Sequence, residues 1–288
     1  MKKFHCKMIN ISIVGLGVIG ASYGMALRNL GYTNIYGIDT NINSIEKGKK
    51  LGIIKEGFTD GKQIFPESDL IILAIYPTKM IKFFKENMKY INKDDTIVTD
   101  VGGIKQGIID EIIDILPENI DFIFGHPMAG REKSGIDYAS EKVFEGANYI
   151  ITPTKKNKPE NIKFIEKLVL NMGFAQVKKI DAYLHDKIIG FTSQLTHVMA
   201  VALMNSEKEE YEIKNFVGDS FRDLTRIAKI NEELWTELFL QNKNNLIDSI
   251  ESFQKELIYF KNAIIDENTE EIKEYLKLST KKREKLDK

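Results

Sequence analysis

The sequence predicts an α/β protein in which a parallel sheet domain, residues 1–180, precedes an all-helical domain, residues 181–288. Three observations support this prediction. Residues 11–39 have the pattern strand, glycine turn, helix, strand and acidic residue. Short apolar runs then alternate with helical patterns as far as residue 180, which is typical of a parallel sheet with crossover helices. Beyond residue 181 the apolar residues recur only at helical spacing.

The first element is the apolar run 11–14, which leads into Gly-Leu-Gly-Val-Ile-Gly and then a helical pattern. In a dinucleotide-binding unit the first glycine permits the tight turn and the second lets a pyrophosphate approach the backbone. The third lets the helix pack closely on the sheet, and the helix N-terminus offers free N–H groups to the phosphates. The residues predicted to bind the cofactor here are Gly15, Leu16, Gly17, Val18, Ile19 and Gly20.

Asp39 closes this unit at the end of the second predicted strand, 35–38. A carboxylate at this position accepts hydrogen bonds from the adenosine ribose hydroxyls and repels a 2′-phosphate. The unit is therefore a Rossmann-type fingerprint that favours NAD over NADP as cofactor.

The later strands are predicted from short apolar runs that end at glycine, proline or polar residues. They are 53–54, 70–75, 96–99, 122–125, 147–151 and 173–180. Helical patterns lie between them at 41–52, 78–90, 106–115 and 159–171. In the second domain we predict helices over 182–205, 211–230, 231–262 and 268–285.

Ligands of open parallel sheets bind beyond the carboxyl ends of the strands. Tyr76 and Pro77 follow one predicted strand, and Gly102 lies in the loop after another. We therefore expect these three residues to flank the cofactor. For Pro77 alone, a proline that simply ends its strand is an equally good interpretation.

The composition excludes several classes of function. The 288 residues carry a formal net charge of −1, and nucleic acid binding would need a basic surplus. No apolar run approaches the roughly 20 residues of a membrane span, so we expect no membrane partner. The single Cys6 fits a reducing cytoplasm. One cysteine and four scattered histidines predict no metal site.

A nicotinamide-dependent oxidation needs a proton acceptor, and histidine is the usual one near neutral pH. His126 follows a predicted strand on a loop containing proline and glycine, where it can face the cofactor. His185 and His197 lie twelve residues apart on the predicted helix 182–205, which places them on roughly opposite sides of a regular α-helix. We therefore expect at most one of these two in the site, and a structural role is the simpler interpretation of His185.

Arg222 and Arg226 are one helical turn apart, so on the predicted helix they share a face. They fit either a clamp for a carboxylate or a surface helix with ion pairs. Trp235 is the only tryptophan, and a lone aromatic residue usually belongs to the core.

The chain resembles the prephenate dehydrogenase family of tyrosine biosynthesis. The segments that carry the resemblance span both domains: VGLGVIGASYG (14–24), TDVGGIK (99–105), GHPMAGREKSG (125–135), LHDKIIGFTSQLTH (184–197) and FRDLTRIAKINEELW (221–235). The resemblance implies an NAD-dependent oxidative decarboxylation of prephenate in a cleft between the two domains. It also implies a homodimer formed through the helical domain.

The resemblance further implies individual roles. His126 matches the catalytic histidine, which takes the proton of the ring hydroxyl. Arg226 matches the arginine that binds a substrate carboxylate. The remaining substrate-site positions implied by the family are Gln194, His197, Glu132, Gly103 and Trp235. Of these, Glu132 matches an acid at the pocket entrance, and Trp235 matches a tryptophan near the site of the partner subunit. Gly103 departs from the family pattern, because many relatives carry a serine there that can bond the ring hydroxyl and the histidine. SQLTH similarly replaces the family's SHLPH segment.

Three alternatives stay open at this point. The same chemistry on arogenate differs only in an amine on the substrate side chain. A hydroxyacid dehydrogenase with a similar plan would use a catalytic lysine or another histidine context. A non-enzymatic NAD-responsive regulator would need no base at the nicotinamide.

Overall fold

The computed structural model describes residues 7–130, 133–208 and 212–286. Cys6 and Glu132, which the sequence singled out, lie outside these ranges. The described strands are β1 (Ile11–Val14), β2 (Ile35–Ile38), β3 (Glu56–Phe58), β4 (Leu70–Leu73), β5 (Thr96–Asp100), β6 (Ile120–Pro127), β7 (Asn148–Thr152) and β8 (Gln176–Lys179). They form one sheet in the order β3-β2-β1-β4-β5-β6-β7-β8.

The described helices of the first part are α1 (Val18–Asn29), α2 (Ile42–Lys50), α3 (Pro77–Asn87), α4 (Gln106–Ile113) and α5 (Pro159–Asn171). Alternate residues of β4 enter two different apolar clusters. Leu70 and Ile72 belong to one cluster, whereas Ile71 and Leu73 belong to the other. Because successive side chains of a strand point to opposite faces, the sheet is buried on both faces between layers of helices.

The strand order reverses at β1. β2 and β3 lie on one side of β1, and β4 lies on the other. Val14 pairs with Leu73, so β1 and β4 end at the same level of the sheet. The loops that follow these two strands therefore border the crevice in which open α/β sheets bind their ligands.

The sheet is mostly parallel, as predicted, and one pair of neighbouring strands is antiparallel. β7 runs antiparallel to β6, and β8 is parallel to β7. In its described residues the connection from β6 to β7 holds only two 3₁₀ turns, Ile136–Tyr138 and Glu141–Phe144. Antiparallel neighbours can be joined this way, whereas parallel neighbours need a longer crossover, usually a helix.

The second part is helical over its described residues. Its helices are α6 (Ala182–Ile189), α7 (Leu195–Asn205), α8 (Asp219–Thr225), α9 (Glu232–Gln241), α10 (Lys243–Ile265) and α11 (Thr269–Arg283). The predicted helix 182–205 is interrupted by a π-helical segment, Gly190–Gln194. The predicted helix 211–230 is likewise broken, since α8 ends at Thr225 and a 3₁₀ turn, Arg226–Ala228, follows.

The expectation that no stretch approaches a membrane span was wrong for Ala182–Asn205, which is long and apolar enough to cross a membrane by length and composition alone. Only 28% of its most apolar window is buried within this single chain. The same stretch begins with buried polar side chains, His185 and Asp186, which bond to the sheet part. It is therefore anchored to the rest of the fold at one end and carries exposed apolar surface along its length.

Candidate active site

The glycine loop between β1 and α1 contains two glycines that the fold itself requires. Gly15 has φ +89°, and a Cβ there would lie 2.6 Å from the Ile75 side chain. A Cβ on Gly20 would fall on the Gly15 carbonyl oxygen. A larger residue at either position would therefore clash with other atoms of the protein, whether or not a ligand is bound.

Gly17 is different, because a Cβ built on it meets no atom within 4 Å. The residue precedes α1, whose N-terminus has no side-chain cap. Open space in front of free N–H groups at a helix N-terminus is what a pyrophosphate needs. The side chains of Leu16 and Val18 are buried in the core, so these residues can meet a cofactor only through their backbone. The loop thus fits the dinucleotide for which the sequence predicted it.

Asp39 is half-buried just beyond β2, and its carboxylate holds the glycine loop in place. One oxygen accepts the Leu16 N–H at 2.8 Å, and the other accepts the Asn41 N–H at 2.8 Å. Each carboxylate oxygen retains a second lone pair. The carboxylate can therefore orient the loop and still accept a hydrogen bond from a ribose hydroxyl.

Tyr76 and Pro77 lie at the switch point, after β4. Pro77 is the first residue of α3, a position that proline favours, and Tyr76 is the residue that precedes the helix. The interpretation of Pro77 as a proline that ends its strand was therefore wrong, since β4 already ends at Leu73. The backbone of Ala74 packs against Gly15, which brings this loop beside the glycine turn.

The loop after β5 is held by a buried ion pair that the sequence analysis missed. Lys105 and Asp100 are fully buried, with the ammonium nitrogen 2.7 Å from the carboxylate. Asp100 also accepts the N–H groups of Gly102 at 2.8 Å and Gly125 at 3.1 Å. A Cβ on Gly102 would lie 2.9 Å from the same carboxylate. The pair therefore sets the loop of Gly102 and Gly103 against β6.

His126 lies within β6, so the prediction that it sits on a loop was wrong. The strand extends this far because His126 pairs with Ile150 of β7. The ring is half-buried, and its Nε2 lies 3.8 Å from the position of a Cβ on Gly103. Burial lowers the pKa of His126 well below its usual 6.5, and the charge of Lys105 and any proton taken up by His185 act in the same direction. The imidazole is therefore neutral at physiological pH.

His185, for which the sequence favoured a structural role, lies in direct contact with His126. Its ring is fully buried, and its Nε2 lies 2.9 Å from Nδ1 of His126. Its Nδ1 lies 2.6 Å from a carboxylate oxygen of Asp186. Burial lowers the pKa of His185, and the bond to Asp186 opposes that shift. The available signal was the adjacent His-Asp pair at the start of the helical domain.

The π-helical segment removes the basis for placing His185 and His197 on opposite sides of one helix. In a continuous α-helix their angular separation is about 120°, whereas one inserted residue at a π-bulge reduces it to about 20°. The His197 ring lies against Trp235, with centroids 3.7 Å apart. Nδ1 of His197 bonds the Ser193 carbonyl at 2.9 Å.

Helix α9 brings the helical part onto the loop of Gly102 and Gly103. Leu238 lies 3.5 Å from the position of a Cβ on Gly103, and Trp235, one turn earlier, packs on the apolar cluster beneath the sheet edge. Gln194 donates to the Leu238 carbonyl at 2.9 Å and accepts from Asn242 at 2.7 Å. Both ends of the Gln194 amide are thus occupied in packing the helices together.

The two arginines do not share one regular helix face. Arg222 belongs to α8 and lies 3.4 Å from Asp219, which agrees with the ion-pair interpretation for this residue. Arg226 begins the 3₁₀ turn after α8, and this turn packs against α7, the helix of His197. The two arginines therefore lie on different elements, and Arg226 lies in an element that packs against the helix of His197.

Comparison with known proteins identifies the family. The model of the prephenate dehydrogenase nucleotide-binding domain matches residues 23–178, and that of the prephenate dehydrogenase dimerization domain matches residues 181–278. The chain belongs to the prephenate dehydrogenase family. The predicted resemblance and fold class, an NAD-binding Rossmann-like part followed by a helical part, are thereby confirmed.

Relatives agree with this assignment over nearly the whole chain. Prephenate dehydrogenase of Lactococcus lactis subsp. cremoris is 30% identical over 288 residues, covering 97% of this chain and 78% of the relative. A crystal structure of Aquifex aeolicus prephenate dehydrogenase in complex with hydroxyphenyl propionate and NAD⁺ is 36% identical, with a TM-score of 0.87 and coverage of 97% and 98%. Synechocystis arogenate dehydrogenase is 26% identical, with a TM-score of 0.81 and coverage of 96% and 100%.

Proposed function

We propose that this member of the prephenate dehydrogenase family oxidatively decarboxylates prephenate to 4-hydroxyphenylpyruvate and CO₂. The observation that carries the proposal is the neutral His126 imidazole in the cleft, with Nε2 directed towards Gly103. NAD, when bound, accepts the hydride from the ring carbon that bears the hydroxyl. Family membership and the fit of the glycine loop support NAD as the cofactor.

His126 acts on the ring hydroxyl. Its Nε2 accepts the hydroxyl proton as the hydride leaves the same carbon, and the bond to the ring carboxylate then breaks to release CO₂. The electron pair of that bond completes the aromatic ring, which makes the decarboxylation favourable. The proton held by His126 returns to the phenolic oxygen, so the reaction releases no net proton.

The other roles are proposals of the same kind. Arg226 binds a carboxylate of the substrate, where a guanidinium forms paired hydrogen bonds. His197 and Trp235, stacked on each other, form the wall of the substrate site on the helical side. Gly103 leaves room for the ring hydroxyl. The role at the pocket entrance that the resemblance implies for Glu132 stays a prediction, because Glu132 lies outside the described residues. Gln194, for which the resemblance implies contact with the substrate, is instead buried and bonds Leu238 and Asn242, so its proposed role is to hold α9 in place.

The cofactor site comprises the loop residues 15–20, Asp39, Tyr76, Pro77 and Gly102. The Asp39 carboxylate would repel a 2′-phosphate, so NAD is preferred over NADP. We keep 1–180 and 181–288 as the two domains, because β8 ends at Lys179 and the first helix of the second part begins at Ala182. A cytoplasmic location and the lack of nucleic acid or membrane partners stay predictions.

The homodimer is also a proposal. The family model describes residues 181–278 as a dimerization domain. The exposed apolar residues along α6 to α7 include Phe191, Leu203 and Met204. Covering such a surface with a second copy would remove apolar area from water.

The test measures NADH formation with prephenate or arogenate, each with NAD or NADP. We expect turnover of prephenate with NAD and a loss of about 10²–10⁴-fold in kcat for His126→Asn. NAD binding and unfolding temperature of the variant serve as controls for its fold. Turnover of arogenate alone would make arogenate the substrate in place of prephenate and would leave the proposed mechanism unchanged. No turnover with either substrate would overturn the proposal.

A further inference from the structure

A continuous chain of hydrogen bonds runs from the N-terminus of α4 to the catalytic histidine. The backbone N–H groups of Lys105 and Gln106 each donate to one Asp186 oxygen at 2.8 Å. Asp186 contacts Nδ1 of His185 at 2.6 Å, and Nε2 of His185 contacts Nδ1 of His126 at 2.9 Å. Once the donor and acceptor of the first hydrogen bond are assigned, the donor and acceptor of each later hydrogen bond follow.

The assignment begins at Asp186. Its two oxygens accept backbone N–H groups at a helix N-terminus, where negative charge is favourable, so the group is a carboxylate and accepts. His185 must therefore carry its proton on Nδ1, and in the neutral ring Nε2 is then an acceptor. His126 must in turn donate from Nδ1, which leaves the lone pair on its Nε2.

We infer that His185 and Asp186 are positioning residues that fix the tautomer of His126, with the proton on Nδ1 and the Nε2 lone pair facing Gly103. This inference rests on the proposed function, since that lone pair is the acceptor of the substrate hydroxyl proton. The other tautomer would present an N–H to the hydroxyl and could not accept a proton from it.

The surroundings favour a neutral His185 in this role. The charged groups that face the two rings are Asp186 from α6 and the pair of Asp100 and Lys105 from the loop after β5. The Asp100 carboxylate already accepts hydrogen bonds from the Lys105 ammonium and from backbone N–H groups. Asp186 is thus the acidic group in direct contact with His185 among the described residues. It accepts a hydrogen bond from a neutral ring without taking its proton.

The first test reads the tautomer in the wild-type protein and uses a substitution only to assign the signal. The four histidines of the intact protein, labelled with ¹⁵N, are observed by NMR without substrate, and His126→Asn assigns the signal. We expect His126 at neutral pH to show a protonated Nδ1 and an unprotonated Nε2. A protonated Nε2 in the free protein would overturn the inference. This result does not depend on turnover, so the inference and the proposed function can fail separately.

The second test compares two replacements of His185. The amide oxygen of His185→Gln can accept from Nδ1 of His126, whereas His185→Leu fills similar volume without an acceptor. We expect His185→Leu to lower kcat about 100-fold with the KM for NAD unchanged, and His185→Gln to recover most of that loss. Equal losses in both variants, with both folded by thermal unfolding, would contradict a positioning role.

Discussion

The protonation state of His126 is set by the groups that surround its ring in space, which its position in the sequence does not reveal. The ring is half-buried in β6, where the Lys105 ammonium, and His185 whenever it takes up a proton, place positive charge near it. Burial and these charges both disfavour the imidazolium form. A base with a depressed pKa stays ready to accept a proton over a wide range of pH, although it is a weaker base than an exposed histidine.

This environment predicts the pH dependence of the reaction. His126 must be neutral to accept the proton, so kcat/KM for prephenate falls as the pH drops through the pKa of His126. Because that pKa lies below the usual 6.5, we expect the midpoint of the acid limb below 6.5 as well. Steady-state rates across the pH range, with thermal unfolding recorded at each pH, provide the measurement. A midpoint at or above 6.5 in folded protein would contradict the assignment.

Adjacent glycines in the loop after β5 should respond differently to substitution. A Cβ on Gly103 would sit at ordinary contact distance, 3.5 Å from Leu238 and 3.8 Å from Nε2 of His126. We expect Gly103→Ser to fold normally and to move the acid limb of kcat/KM to lower pH, because a hydroxyl bonded to Nε2 favours the neutral ring.

The matched variant is Gly102→Ala. Its Cβ would lie 2.9 Å from the Asp100 carboxylate, which Lys105 and Gly125 hold in place. We expect it to lose about 1–3 kcal/mol of stability in denaturant unfolding. If Gly102→Ala were as stable as the wild type while Gly103→Ser unfolded, the described loop geometry would be incorrect.

At the scale of elements, the glycines of the glycine loop serve two different purposes, helix packing and ligand binding, which the sequence motif does not distinguish. Gly20 lets α1 approach the strand, whereas Gly17 leaves room for a ligand. Gly20→Ala should therefore destabilise the protein by about 1–3 kcal/mol, since its Cβ meets backbone. Gly17→Ala should leave the unfolding temperature unchanged and weaken NAD binding about tenfold or more. Calorimetric NAD titration and thermal unfolding measure both, and unchanged NAD affinity in Gly17→Ala would count against the pyrophosphate site.

Two elements also show why sequence periodicity missed parts of the site. β6 was expected to end at Gly125, but pairing with β7 extends it through His126 to Pro127. The helix from Ala182 was expected to be regular, but the π segment changes its phase before His197. Both features arise from packing against distant residues, which a local apolar pattern does not record.

For the whole molecule, the sheet and helical parts meet at the N-termini of two helices. Asp186 accepts from the start of α4, and Glu237 of α9 accepts the Thr78 N–H in the first turn of α3. Carboxylates at these positions are favoured by the free N–H groups and the helix dipole. These contacts place α9 and α6 over the carboxyl edge of the sheet, so the cleft is built from both parts.

Exposed apolar surface on the helical part predicts self-association. Phe191 is 62% exposed in the single chain and lies in the π segment. We expect a dimer at micromolar concentration by sedimentation, and Phe191→Asp should weaken it about tenfold or more. Leu51→Asp is the control, because Leu51 is 52% exposed but lies on the sheet part. A monomeric wild-type protein, or equal effects of both variants, would refute the proposed interface.

The sequence by itself determined the features that are local in the chain. Strand, glycine turn, helix and acid follow one another within residues 11–39, and each residue type there has a conformational reason for its position. The change to a purely helical pattern after residue 180 is equally local. His126 was likewise selected from its local position after the apolar run 122–125, and its role at the site stays a prediction.

Tertiary structure alone decided how that histidine is held. His126 and His185 are 59 residues apart and belong to different parts of the fold, yet their ring nitrogens are 2.9 Å apart. The bond from Lys105 to Asp186 likewise spans 81 residues. Secondary-structure periodicity is set by neighbours three or four residues away, whereas these contacts depend on how sheet and helices pack. The candidate base could therefore be proposed from the sequence, but the contacts on which its inferred tautomer depends required the folded molecule.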